Sequence, residues 1–78
     1  MVMDIKFDFS KLLGRIKECG FTQERIASEI GISDSTFSLK LNNKAFFTQK
    51  EIVKICILLD IVSGEIGLYF FTLKVQKN

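Results

Sequence analysis

The stretch Thr22-Gln23-Glu24-Arg25-Ile26-Ala27-Ser28-Glu29-Ile30-Gly31-Ile32-Ser33-Asp34-Ser35-Thr36-Phe37-Ser38-Leu39-Lys40-Leu41-Asn42 decides how this chain reads. Counted from Gln23, an alanine stands four positions on, a glycine eight and Phe37 fourteen, with Ile26, Ile30 and Ile32 in the apolar places between. Each has a steric reason. Thr22 caps a helix of about two turns, Gly31 ends it by accepting positive φ, and Ser33 starts the next helix. Ala27 must be small where the second helix crosses the first, while Ile26, Ile30 and Phe37 hold the crossing angle. The helix from Ser33 to Asn42 is thereby projected outward.

Working outward, Phe9, Leu12, Leu13 and Ile16 repeat at helical spacing between Asp8, which starts that helix, and Gly20, which stops it. After the polar linker Asn42 to Ala45, Thr48-Gln49-Lys50-Glu51 matches a capping box, and Ile52, Ile55, Cys56 and Leu59 form the next stripe. An apolar residue before each cap pairs with one four positions into the helix: Phe21 with Ile26, Ile32 with Phe37, Phe47 with Ile52. A last short helix runs from Ser63 through Tyr69, and Thr72 to Val75 reads as a short extended tail. The expected architecture is an all-α bundle of five short helices in one domain, 1–78. Its core is Phe9, Leu12, Leu13, Ile16, Ile26, Ala27, Ile30, Phe37, Ile52, Ile55 and Leu59.

Composition narrows the function. The chain has 78 residues, 47% of them hydrophobic, and no proline. A chain this short buries only roughly 60% of its unfolded surface, so its core of about a dozen residues is either well packed or extended by a partner subunit. The apolar run Ile55 to Leu59 falls far short of the ~20 residues that span a bilayer, and no basic leader opens the chain. A soluble, cytoplasmic protein is expected. Cys19 and Cys56 stand apart with no histidine anywhere, so both read as reduced thiols and no metal or cofactor is expected. The acid pairs Glu18/Glu24 and Glu51/Asp60 lack a nucleophile motif or phosphate loop, which argues against an enzyme. The aromatics Phe46, Phe47, Tyr69, Phe70 and Phe71 lack interleaved basic residues and read as core or dimer interface rather than base-stacking platforms.

The net charge of +2 is only mildly basic, so a nucleic-acid reading rests on where residues stand. A projecting helix fits the roughly 12 Å major groove, its first turns meeting base edges while the preceding helix crosses the backbone. The outward positions are Asp34, Ser35, Ser38, Leu39 and Asn42. Gln23 and Ser33 lie at helix N-termini, where amides hold phosphates. Asn42, Asn43 and Lys44 follow the projecting helix, as phosphate contacts or simply as a polar loop, and Lys40 adds charge nearby. Asp34 either complements the helix N-terminus or accepts from cytosine. Leu39 either meets a thymine methyl or packs on the fourth helix.

The motif TQERIASEIGISDSTFSLKLNNK, with the ending EIGLYFFTLKVQKN, resembles the Cro/repressor-type (lambda-repressor-like) helix-turn-helix family, particularly small Cro-like proteins of phages of Gram-positive bacteria. The core resemblance spans Phe9 to about Leu59. It implies that Gln23 contacts the DNA backbone and that Asp34, Ser35, Ser38, Leu39 and Asn42 lie at or near bases. The sequence departs from the family at Lys40, where an apolar residue is usual, and at Asp34, where an amide is common. Lys40 then implies a slightly rotated helix or a side chain that snorkels to a phosphate.

The expected function is sequence-specific binding of double-stranded operator DNA by a transcriptional regulator in the nucleoid of a bacterial host. A homodimer would span half-sites about 34 Å apart, joined through Tyr69 to Val75, with no small-molecule ligand. The other reading is a protein-interaction module, antirepressor or antitoxin-like, that turns Ser35, Leu39 and Asn42 toward a protein.

Overall fold

Five helices follow one another in the computed structural model, which describes residues 4–74: α1 (Ser10–Glu18), α2 (Gln23–Ile30), α3 (Asp34–Leu41), α4 (Gln49–Leu59) and α5 (Ile66–Phe70), the last preceded by a single 3-10 turn, Ser63–Glu65. The five-helix all-α architecture read from the sequence is the one observed. No helix among the described residues is long and apolar enough to cross a membrane.

The helix starts follow the cap chemistry. Thr22 Oγ1 accepts from the Arg25 amide at 3.0 Å, and Ser33 Oγ from the Thr36 amide at 3.1 Å. At α4 the capping box closes in both directions, Glu51 N to Thr48 Oγ1 at 3.1 Å and Thr48 N to Glu51 Oε1 at 2.9 Å. The first helix differs from expectation. It begins at Ser10 behind Phe9, and Asp8 sits one residue further out, its carboxylate accepting from the Ser10 amide at 2.9 Å. Hydrogen bonds from the Ser10 side chain and then its amide hold the Asp8 carboxyl below its ordinary value.

Four helix ends share one device, and at three of them an apolar residue follows. After α3 the left-handed residue is Asn43 (φ 63°), with Lys44 N reaching Leu39 O at 2.8 Å; after α1, α2 and α4 a residue enters the left-handed region, Gly20 (φ 79°), Gly31 (φ 86°) and Asp60 (φ 53°). The amide that follows reaches back to the helix: Phe21 N to Ile16 O at 3.0 Å, Ile32 N to Ala27 O at 3.0 Å, Ile61 N to Cys56 O at 2.9 Å. This turn throws the apolar residue after it back against its own helix. Phe21 and Ile32 are accordingly partly buried on the core, and Ile61 is buried in it.

The core is Phe9, Leu12, Ile16, Ile26, Ala27, Ile30, Phe37, Ile55, Cys56, Leu59, Ile61 and Phe70. Leu13 and Ile52, expected inside, pack only partly buried at its margin, while Ile61 and Phe70 join it. Phe47 links the elements: its ring meets Phe9, Phe37 and Phe70 edge-on, with centroids at 5.4, 5.8 and 5.6 Å. Such edge-to-face contacts add to plain burial. Phe46 and Phe71 stay exposed. Cys56 is buried and its thiol is raised by desolvation, whereas Cys19 is exposed.

The segment before α1 is held on both edges. Phe7 and Leu73 form an antiparallel bridge, with Asp8 N donating to Thr72 O at 2.7 Å and Lys74 N to Lys6 O at 2.9 Å. On the opposite edge the Asn43 amide takes the place of a strand, accepting from Phe7 N at 2.8 Å and donating to Phe7 O at 3.0 Å. The expected tail is thus extended where described, but its backbone pairs within the chain. Val75, the end of the expected dimer segment, lies outside the described residues.

Candidate recognition surface

The unit α2, turn, α3 places the residues singled out from the sequence. Gln23 is exposed at the first position of α2, and Ser33 caps α3, its hydroxyl also bonded to Thr36 Oγ1 at 2.8 Å and 3.3 Å from Ser35 Oγ. Asp34, Ser35, Ser38 and Leu39 are exposed on α3. They share a continuous outer face, since positions three and four apart are neighbours on a helix. Leu39 is 50% exposed, with an apolar side chain turned to water at the middle of that face. It does not pack away on α4.

Asn42 closes the C-terminal end of the same helix. Its side-chain amide donates to Ser38 O at 2.9 Å, so one of its two donors already has a partner. Lys44 is exposed in the following loop.

Two of the expected contact residues are placed elsewhere. Lys40 is buried, 8% exposed, and its ammonium pairs with the Glu51 carboxylate. It also sits 6.0 Å from the centre of the Phe47 ring. Three residues past Phe37, Lys40 lies on the buried side of α3, so its stem turns inward and meets the acid of the α4 capping box. It does not reach out toward a phosphate. Asn43, expected beside Lys44, turns its amide onto the Phe7 backbone. It also takes φ 63°, a conformation that asparagine tolerates better than most residues.

Glu51 joins these features. Burial alone would raise its carboxyl, but the hydrogen bond from Lys40, the Thr48 amide and the nearby positive charge outweigh that and hold it below its ordinary value. Glu51 thus caps α4, anchors α3 and stays ionised. The sequence carried a signal for the pair, a lysine on the buried stripe of α3 and an acid at a capping-box position. Its partner could not be read without the angle between the helices.

The consequence is electrostatic. The exposed face of α3 carries one acid, Asp34, two serines and a leucine, and its single lysine is buried against an acid. On α2, Arg25 is paired with Glu29 at 3.1 Å, leaving Glu24 exposed beside it. The surface presented by the two helices is therefore polar and apolar by turns, with little net positive charge. Lys44 adds an exposed cation at its margin.

Comparisons with known proteins agree with this architecture. A family model described as "Protein of unknown function (DUF739)" matches residues 5–73. The chain is similar to the solution structure of the modulator of repression of the temperate bacteriophage TP901-1 from Lactococcus lactis. The two are 41% identical with a TM-score of 0.72, over 90% of this chain and 95% of that one. No curated protein sequence matches.

Proposed function

We propose that this chain, which belongs to the DUF739 family, is a helix-turn-helix regulator that modulates repression in a phage by docking the α3 face on a repressor protein. The observation that carries the reading is the burial of Lys40 against Glu51. With that cation turned inward, the outer face of α3 offers Leu39 as an apolar anchor ringed by Ser35, Ser38 and Asp34.

Binding to duplex DNA depends mainly on neutralising phosphates, and each neutralised phosphate releases counterions. A face with an exposed acid at its helix N-terminus and no free lysine or arginine of its own gains little from that effect. A protein surface suits it better, because a half-exposed leucine gains by desolvation and the hydroxyls can complete a polar rim. The name of the similar phage protein, a modulator of repression, supports a partner within a repression circuit.

Direct operator binding is the second reading. It is favoured by Gln23 at the start of α2 and Lys44 beyond α3, both exposed at positions from which a helix-turn-helix grips phosphates. Two titrations separate the readings: the labelled chain against the repressor of the same phage genome, and against duplex DNA flanking that repressor's gene, across a salt series. Saturable binding to the repressor, weakened at least tenfold by Leu39→Asp, is expected. Tight, salt-sensitive binding of the duplex by the chain alone, with no binding to the repressor, would reject the protein-docking reading.

A further inference from the structure

The exposed side of α4 is not used by the site described above. Val53 is 54% exposed, Ile57 74% and Val62, just past the helix, 60%. They flank a shallow crevice floored by Cys56, Ile61 and Ile66. Such a cluster of exposed β-branched side chains on so small a domain marks a contact surface rather than chance.

The charges around it identify the partner. Lys50, Val53, Ile57 and Asp60 follow at intervals of three, four and three, so they form one stripe along α4, and all four are exposed. Lys50 stands at its N-terminal end and Asp60 at its C-terminal end, with Val53 and Ile57 between. The stripe is positive, apolar, then negative. Turned end for end, it matches itself.

We infer that this surface is an isologous contact with a second copy of the chain, α4 packing antiparallel on α4 of the other copy. A two-fold axis crossing the helix midway between Val53 and Ile57 sets each Val53 against the other copy's Ile57. The same operation sets each Lys50 against the other copy's Asp60. An isologous interface requires this self-complementarity, and antiparallel helix dipoles favour the arrangement. The contact differs from the Tyr69 to Val75 interface expected from the sequence, within which Thr72 O and Lys74 N are bonded to Asp8 and Lys6. Association of two copies follows mass action, so the dimer forms in a concentration-dependent way.

The test is sedimentation velocity on the full chain, without partner or DNA, from low to high micromolar concentration. The expected result is a shift from monomer to dimer that is abolished by Ile57→Asp, whose melting temperature stays unchanged because the side chain is largely exposed. Lys50→Glu should weaken the dimer about fivefold through loss of two exposed ion pairs, and Leu73→Asp should leave it intact. A chain monomeric at every concentration, or a dimer that survives Ile57→Asp, overturns the proposal. So does a dimer that Leu73→Asp dissolves. The readout involves no repressor, so it stands or falls separately from the α3 reading.

Discussion

Replacing Lys40 by methionine keeps the length of the side chain and removes only its charge, which isolates what the pair with Glu51 does for the fold. Both side chains are mostly buried, 9% and 13% exposed. Breaking a fully buried pair by deleting one partner costs about 3–5 kcal/mol. Here Glu51 keeps its hydrogen bond from the Thr48 amide and some contact with water, so Lys40→Met should cost about 2–3 kcal/mol. Glu51→Gln, which preserves the capping box but leaves the ammonium without a counter-charge, should cost a similar amount. In the double variant neither charge remains, and the loss should fall within about 1 kcal/mol of the unaltered protein. For a domain of this size, each single substitution should lower the melting temperature by roughly 10–20 °C. Thermal and urea unfolding of the four proteins, followed by circular dichroism, give the coupling energy directly. Single substitutions that cost under about 0.5 kcal/mol each and simply add would refute the reasoning.

Other consequences follow from the same structure. Asn43→Ala removes both hydrogen bonds to Phe7 and places alanine at positive φ, so stability should fall by about 2 kcal/mol, with faster amide exchange at Phe7 measured by NMR. At Gly31 a Cβ would meet open space, so the cost of Gly31→Ala in urea unfolding should be conformational alone, roughly 1–2 kcal/mol. Glu51 ionises at lower pH in the folded than in the unfolded chain. Its contribution is therefore present above the unfolded carboxyl value of about 4.3 and is lost as pH falls through the lower folded value. Urea midpoints measured from neutral pH downward should fall in that window, and Glu51→Gln should flatten the decline.

Much of the fold could be read from residues whose physics is local. Thr22, Ser33 and Thr48 cap their helices because a hydroxyl before an apolar period has few other uses, and Gly20 and Gly31 mark helix ends by their ease at positive φ. Ile61 was hidden by the same logic. It follows Asp60 as Phe21 follows Gly20 and Ile32 follows Gly31, but an aspartate in the left-handed position gives no comparable signal. Phe70 lies in a run of three aromatics, where no period distinguishes the buried ring from the exposed one. Leu39 was legible as an outward residue because α3 buries Phe37 on its other side. Lys40 and Asn43 were not legible as internal ties, since their partners, Glu51 and Phe7, are 11 and 36 residues away and meet them only after the helices pack. Those two misplacements changed the electrostatics of the surface, and with them the balance between DNA and protein as its partner.

Docking of the exposed α3 face on a protein is tested most directly by the backbone amide shifts of the isotope-labelled chain as the phage's repressor is added, compared with those produced by duplex DNA. Shifts concentrated between Asp34 and Asn42 and centred on Leu39 are expected with the repressor, and weak, scattered shifts with DNA at moderate salt. Strong shifts along α3 with DNA, together with an unperturbed α3 in the presence of the repressor, would contradict it.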